Sequence, residues 1–298
     1  MNKKLCGILI TILIVLVAIL AIIFKPNYKQ EELNSNTKIV TSFYPIYIIA
    51  SNIVQDANNV ELINMTEANV GCVHNYTLLA SDMKKIEDAN IFIKNGLELE
   101  NFMDKIVSTY PNLKVIDSSR QIPNKIQETE GVNPHIWTSI TNYIKQVEEV
   151  STNLCKYNQE NAETYAINTK NYINSLNDLK EQYNNQLQNL KGKKAICLNE
   201  ALIYLTQEVE MEITQVETDH EESTLSADTL KNLINKMKQE EIEVILVDVN
   251  DNLRNAQTLS LETGAKIYKL NSCLTGENNK DSYINNMKQN LEVLKQIQ

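Results

Sequence analysis

The sequence is poor in the residues that mark fibrous, linker and nucleotide-binding proteins. It has 7 glycines and 5 prolines among 298 residues, too few for a collagen-like or a Pro/Gly-rich chain. No nucleophile elbow, phosphate-binding loop or His-Glu-x-x-His motif occurs, so we predict that the protein is not an enzyme. Acidic residues outnumber basic ones by 38 to 28, and no basic stripe follows Lys3 and Lys4, which argues against nucleic-acid binding. The hydrophobic content of 43% is that of a folded globular protein.

One long apolar run lies at the N-terminus, over residues 5–24, directly after the two lysines. As a helix it would be about 30 Å long, enough to cross a bilayer. The preceding lysines favour an orientation that leaves the rest of the chain outside the cytoplasm. A cleaved signal peptide is the alternative, but the run ends at Phe24 without small residues, and no lipoprotein cysteine follows it. We therefore expect residues 1–24 to be a membrane anchor and residues 25–37 a polar tether; a cleaved chain would be secreted or periplasmic.

Cysteines are few and leave two interpretations open. Cys6 lies in the apolar run, and four more follow it: Cys72, Cys155, Cys197 and Cys273. Outside the cytoplasm these four allow three full disulfide pairings, between which the sequence does not choose. Buried free thiols are equally compatible with the pattern.

Short β-rich apolar runs alternate with amphipathic segments after the tether. The predicted strands are residues 39–43, 60–65, 91–93, 114–116, 195–198, 213–216, 244–249 and 266–270. The predicted helices are residues 45–55, 80–88, 98–110, 201–209, 227–239, 252–263 and 281–296. Alternation of this kind predicts an α/β fold with mostly parallel sheets covered by helices.

The middle of the chain interrupts this alternation. Residues 139–189 contain no strand pattern, and Tyr and Leu residues recur there at helical spacing on one face. We predict one linking helix over residues 159–190, on the order of 48 Å long. It would join an N-terminal α/β lobe at residues 38–158 to a C-terminal α/β lobe at residues 191–298. Two such lobes form a cleft suited to ligand capture at the carboxyl ends of their strands.

Three histidines occur, His74, His135 and His220, each in a predicted loop. His220 lies in an acidic segment, where we expect a solvent-exposed loop. The segments around the other two resemble the zinc- and manganese-binding solute-binding proteins of bacterial ABC importers. His74-Asn75-Tyr76 resembles the His-x-Tyr motif of that family, and Asn133-Pro134-His135-Ile136-Trp137 resembles its Asp-Pro-His-x-Trp motif. Further matches extend the resemblance from about residue 38 to the C-terminus, at residues 42–45, 81–86, 89–90, 95–100, 262–265 and 281–291.

The resemblance implies a cleft in which four side chains bind one divalent transition metal. Two ligand positions map onto His74 and His135 in the N-terminal lobe. The other two map onto Asn199 and Asn271 in the C-terminal lobe, where the family has a His or Glu and an Asp. Both residues here are neutral amides, so a site of these four side chains would leave the metal charge uncompensated.

Two substitutes for the missing charge are visible. Glu200, next to Asn199, is the one we favour. Thiols are the other, because i and i+2 share a face of extended backbone and three cysteines lie two residues from a ligand position: Cys72, Cys197 and Cys273.

The resemblance implies a monomeric extracytoplasmic protein that captures zinc or manganese and delivers it to the membrane subunits of an ABC permease. Its cargo would be held by His74, His135 and a C-terminal-lobe group from among Asn199, Glu200 and Asn271. The alternative is a paralogue with a degenerate metal site that acts in cell adhesion or as an accessory interaction protein. The two asparagines and the uncleaved anchor favour this alternative.

Overall fold

The computed structural model describes residues 36–70, 76–128, 131–216 and 225–298, and a four-stranded parallel sheet organises the first part of the chain. The strand order is β2-β1-β3-β4. This N-lobe consists of β1 (Thr37–Thr41), α1 (Tyr44–Ile53), β2 (Val60–Asn64), α2 (Ala80–Glu87), β3 (Ile91–Lys94), α3 (Asn101–Val107) and β4 (Lys114–Asp117).

A hairpin and a helical segment complete the N-lobe and link it to the rest of the chain. A short antiparallel hairpin, β5 (Gln127–Glu128) and β6 (Gly131–Val132), leads into a 3-10 turn at Ile136–Thr138. The helices α4 (Ile140–Tyr157) and α5 (Ala162–Gln186) come next. The 25 residues of α5 make it about 37 Å long. The predicted linking helix is therefore an α-helix with a 3-10 turn at each end, Gln159–Asn161 and Gln188–Leu190.

The C-lobe repeats the architecture with a second parallel sheet, in the order β10-β9-β7-β8. Its elements are β7 (Lys194–Cys197), a 3-10 turn (Glu200–Leu202), α6 (Ile203–Glu208), β8 (Glu212–Gln215), α7 (Ala227–Glu240), β9 (Val244–Asp248), α8 (Arg254–Thr263), β10 (Lys266–Leu270) and α9 (Ser282–Leu294). All five residues of β9 are buried, as expected for a central strand covered on both faces.

One apolar core joins the two lobes around α4 and α5. At its centre the rings of Tyr143 on α4 and Tyr283 on α9 are stacked with their centroids 3.6 Å apart. The Tyr283 hydroxyl donates to the carbonyl oxygen of Trp137 at 2.8 Å, and the Trp137 indole N–H donates to the carbonyl oxygen of Ser272 at 2.9 Å. These buried contacts hold the N-lobe and the C-lobe against each other.

The predicted fold class is confirmed: two parallel sheets covered by helices lie on either side of one long helix. Each predicted strand lies within two residues of an observed one. The β5–β6 hairpin was not predicted. No helix of the described residues is long and apolar enough to span a membrane, and the apolar run at residues 5–24 lies outside them.

Candidate metal centre

His135 lies at the start of the 3-10 turn that follows the hairpin, and it is only 1% exposed. Its loop is fixed at two points. The Asn95 side chain donates to the carbonyl oxygen of Pro134 at 2.9 Å, and the Thr138 hydroxyl donates to the carbonyl oxygen of His135 at 3.0 Å. The imidazole packs edge-on against the Trp137 ring, with the centroids 5.2 Å apart. The sequence thus places a buried imidazole on a rigid turn between the lobes.

Asn133 determines which nitrogen of His135 carries the proton. The Asn133 Oδ1 accepts from the backbone N–H of His135 at 2.9 Å, and its Nδ2 donates to the backbone carbonyl oxygen of Glu200 at 3.0 Å. Because a backbone N–H can only donate and a carbonyl can only accept, these contacts fix the orientation of the amide. His135 Nδ1 lies 3.0 Å from the same Oδ1, so Nδ1 carries the hydrogen. Nε2 is then the unprotonated nitrogen of the neutral ring, the form that binds metals.

Glu200 brings a carboxylate from the C-lobe to this imidazole. It is the first residue of the 3-10 turn after β7, and its side chain is 28% exposed. Its Oε1 lies 3.9 Å from His135 Nε2. Two ligands that share one zinc ion at about 2.1 Å lie about 3.4 Å apart in a tetrahedral site. A shift of the Glu200 side chain of about half an ångström would bring the two atoms to this separation.

Asn199 has a structural role in the same turn. Its Oδ1 accepts from the backbone N–H of Ala201 at 3.0 Å, as an N-cap does, and its Nδ2 donates to Asp251 Oδ1 at 2.9 Å. Burial raises the pKa of Asp251, while the hydrogen bonds from the backbone of Asp248 and from Asn199 lower it. The amide of Asn199 is thus hydrogen-bonded at both ends, through its oxygen and through its nitrogen.

Asn271 orders the loop that follows β10. Its Oδ1 accepts from the backbone N–H of Cys273 at 2.7 Å. Its backbone N–H and carbonyl pair with the side chain of Asn290, at 2.7 and 2.8 Å. The side-chain oxygen of Asn271 is therefore part of a tight turn, in which Cys273 has a φ of +58°.

Burial disfavours metal binding by two of the thiols in the described residues, Cys197 and Cys273. Cys155, Cys197 and Cys273 are all free, and the last two are buried. Burial raises the pKa of the Cys197 thiol to about 12 and that of Cys273 well above its ordinary value. Since the thiolate is the metal-binding form, these thiols are poor ligands.

The remaining predicted groups lie outside the described residues: His74, His220 and Cys72. Within the ranges that the structure describes, no group of three or more His, Cys, Asp or Glu side chains is close enough to hold a metal ion. Of the five predicted site residues, the structure brings His135 and Glu200 together and gives Asn199 and Asn271 turn-forming roles. A complete site needs further donors in addition to this pair.

Glu128, on the unpredicted hairpin, also belongs to this region. Its Oε1 accepts from Asn133 Nδ2 at 2.8 Å and from Gln215 Nε2 at 2.7 Å. Tyr204 adds a further link between the lobes, because its hydroxyl donates to the carbonyl oxygen of Asn133 and accepts from the backbone N–H of Ile126, both at 2.9 Å. A two-residue strand has no periodicity that could have indicated Glu128 in the sequence.

Comparison with known proteins adds to this geometry. Residues 39–297 match the family of ZnuA, the periplasmic component A of the zinc-uptake complex. The zinc-binding lipoprotein AdcA of Streptococcus pneumoniae is 28% identical over 291 residues, which cover 90% of this chain and 57% of AdcA. The chain thus spans little more than half of that relative. The high-affinity zinc uptake system protein ZnuA of Bacillus subtilis is 27% identical, over 86% of each chain.

A solved structure is similar over the same region. It is that of the solute-binding protein FpvC from Pseudomonas aeruginosa in complex with Mn2+. The TM-score is 0.78 at 26% sequence identity, and the match covers 87% of this chain and 97% of FpvC. A solute-binding protein solved in complex with Mn2+ therefore shares this architecture.

Proposed function

Because the chain belongs to the family of the periplasmic component A of zinc-uptake complexes, we propose that it is an extracytoplasmic solute-binding protein for a divalent transition metal. Zinc or manganese is the cargo, bound between the lobes and delivered to the membrane subunits of an ABC permease. The protein acts as a monomer, in transport and not in catalysis. Residues 1–24 hold it at the outer face of the membrane.

One observation carries the proposal: a buried imidazole from one lobe faces a carboxylate from the other. When the His135 ring is neutral, its contact with Asn133 leaves Nε2 unprotonated, and Glu200 Oε1 lies 3.9 Å from this nitrogen. An imidazole and a carboxylate suit zinc, manganese and iron, and the carboxylate neutralises part of the metal charge. His74 is the proposed second imidazole. Two histidines and one glutamate are a set of protein ligands that zinc uses elsewhere.

We propose that Glu200, and not Asn199, supplies the C-lobe carboxylate. Binding through Asn199 would compete with its hydrogen bond to the N–H of Ala201, and loss of such a cap costs about 0.5–2 kcal/mol. Glu200 already lies beside the imidazole, with its Oε1 3.9 Å from His135 Nε2. It also contributes the negative charge that Asn199 and Asn271 lack.

The test is calorimetric titration of the full chain with zinc and with manganese separately, after chelator treatment and thiol reduction. Three variants run beside it: His135→Ala, Glu200→Gln and Asn199→Ser. Serine keeps an oxygen that can cap the turn, so Asn199→Ser is the matched control for Glu200→Gln. We expect stoichiometric binding by the wild type, a loss of at least about 100-fold for the first two variants, and nearly unchanged affinity for the third.

Each other outcome has a definite meaning. If Asn199→Ser binds as weakly as Glu200→Gln, the assignment of the ligand to Glu200 is wrong. If the wild type binds neither metal, delivery of zinc or manganese is wrong. The adhesion or accessory role would then be the function to test.

A further inference from the structure

A second carboxylate is connected to the imidazole of His135 through one amide group. Glu128 Oε1 accepts from Asn133 Nδ2 at 2.8 Å, and Asn133 Oδ1 accepts from His135 Nδ1 at 3.0 Å. Asn133 is fully buried and has a single orientation, fixed by the backbone groups of His135 and Glu200. Glu128 is therefore the anionic end of a continuous hydrogen-bonded chain that ends at a proposed metal ligand.

The hydrogen bonds from Glu128 through Asn133 affect the metal-binding properties of the imidazole. An amide that donates to a carboxylate becomes more polarised, and its oxygen becomes a stronger acceptor. A stronger acceptor at Nδ1 makes Nε2 a better electron donor to a metal ion and holds the ring in one orientation. The motif that this segment resembles has an Asp where this chain has Asn133. In this protein the negative charge lies on Glu128, which Asn133 connects to the imidazole through hydrogen bonds.

The second hydrogen bond of Glu128 ties this chain to the C-lobe. Gln215, at the end of β8, donates to the same Oε1 at 2.7 Å. Asn133 Nδ2 also donates to the carbonyl oxygen of Glu200. The amide that orients His135 therefore contacts both lobes, and Glu128 is half-buried with two donors that stabilise its charge.

We propose that Glu128 is a positioning residue for the metal, which acts through Asn133 on the orientation and basicity of His135. It supplies, through one amide group, a negative charge in place of the Asp that the resembled motif has two residues before the histidine. The expected effect of Glu128 on metal affinity rests on the proposed function. Its effect on the His135 ring does not depend on that function, because the hydrogen-bonded chain is present without metal.

The variant Glu128→Gln tests the proposal, since glutamine has the same shape and removes only the charge. Glu212→Gln is the control: Glu212 is an exposed residue at the start of β8, and the substitution makes the same change in net charge. We expect Glu128→Gln to bind zinc about tenfold more weakly than wild type and Glu212→Gln to bind it equally. The loss should persist in high salt, because a contact through hydrogen bonds is screened far less than a long-range field.

A second readout uses the metal-free full chain. In NMR spectra with nitrogen-15-labelled histidine, a strong acceptor moves the Nδ1 proton of His135 downfield. We expect this proton to move upfield in Glu128→Gln and to stay in place in Glu212→Gln. Thermal unfolding of the variants shows whether the fold is retained, and a purely structural role for Glu128 would change stability without moving this proton.

The two readouts separate the two proposals. If the wild type binds no metal, the proposed function is wrong, while the proton shift still tests the role of Glu128. If the wild type binds metal and Glu128→Gln changes neither the affinity nor the Nδ1 proton, the role of Glu128 is wrong and the proposed function stands. A loss of affinity that disappears in high salt, or a Nδ1 proton that does not move, would also overturn it.

Discussion

Tyr283 joins the last helix of the C-lobe to the loop that contains His135. Its hydroxyl donates to the carbonyl oxygen of Trp137 at 2.8 Å, and its ring stacks on Tyr143 with an interplanar angle of 8°. The variant Tyr283→Phe keeps the ring and the stack and removes only the hydrogen bond. It therefore measures what one buried contact between the lobes contributes.

The burial of the two residues sets the size of the expected loss of stability. Tyr283 is 2% exposed, and Trp137 is fully buried, so no water replaces the missing hydroxyl. Leaving a buried acceptor without its donor costs about 1–3 kcal/mol. For a domain of this size, each kcal/mol lowers the melting temperature by about 2–4 °C. We expect the free energy of unfolding to fall by about 1–3 kcal/mol.

The assay is denaturant unfolding of the metal-free full chain, followed by tryptophan fluorescence, which reports on Trp137 alone because the chain has one Trp. Tyr268→Phe is the matched control. The Tyr268 hydroxyl donates to the carbonyl oxygen of Gln296 at 3.4 Å near the surface, so its loss should cost less than about 0.5 kcal/mol. Equal stability of Tyr283→Phe and Tyr268→Phe would refute the conclusion that this hydrogen bond holds the lobes together.

Three further predictions concern buried groups. Gly96 has a φ of +91°, and a Cβ at this position would lie 2.1 Å from Asp117 Oδ1. Gly96→Ala should therefore lower the free energy of unfolding by about 2–6 kcal/mol. An unchanged denaturation midpoint would contradict this prediction. Burial raises the pKa of Glu100 from 4.5 to about 7, so between these pH values the folded chain keeps a proton that the unfolded chain has lost. We expect the free energy of unfolding of the wild type, relative to that of Glu100→Gln, to fall by roughly 3 kcal/mol as the pH rises from 4.5 to 7 and to change little above pH 7. Parallel pH profiles of the two proteins would contradict this prediction. Cys197 and Cys273 are buried free thiols, so a thiol reagent should modify them only at the rate of unfolding, and fast labelling of the native chain would show that they are accessible.

Local sequence patterns were sufficient to predict the two sheets. Most strands of the two sheets contain a short apolar run, and β9 has four apolar residues in succession, Val244 to Val247, because a central parallel strand is covered on both faces. Helix ends also follow local rules. Ser226 caps α7 by accepting from the N–H of Thr229, and α8 ends at Gly264 in the left-handed conformation. The β5–β6 hairpin escaped prediction because strands of two residues contain no repeat.

The candidate site was predictable only in part. Its N-lobe part, His135 and Asn133, lies in one short motif that can be read from the sequence. The choice between Asn199 and Glu200 depends on where two adjacent side chains point, which spacing along the chain does not determine. A local signal did exist, because Asn is a preferred N-cap and Asn199 precedes a helical turn. Glu128 on β5 contacts Asn133, which follows β6, and Gln215 from the other lobe, so no local pattern indicates it.

Asn residues at two expected ligand positions do not by themselves indicate a lost metal site. Five strand ends around the cleft turn in the same way: a side-chain oxygen accepts from the backbone N–H two residues later. The residues that do so are Asp117, Asn133, Asn199, Asp248 and Asn271. Asparagine at positions 199 and 271 therefore satisfies a requirement of the backbone whether or not metal binds. The negative charge of the proposed centre then comes from side chains that do not accept these turn-closing hydrogen bonds, from Glu200 directly and from Glu128 through an amide. The substitution Asn271→Asp tests whether Glu200 is the main source of this charge. It adds a negative charge at the expected ligand position and keeps an oxygen that can close the turn. We expect Asn271→Asp to raise zinc affinity far less than Glu200→Gln lowers it, and titration of both variants would show whether the charge at position 200 or at position 271 governs binding.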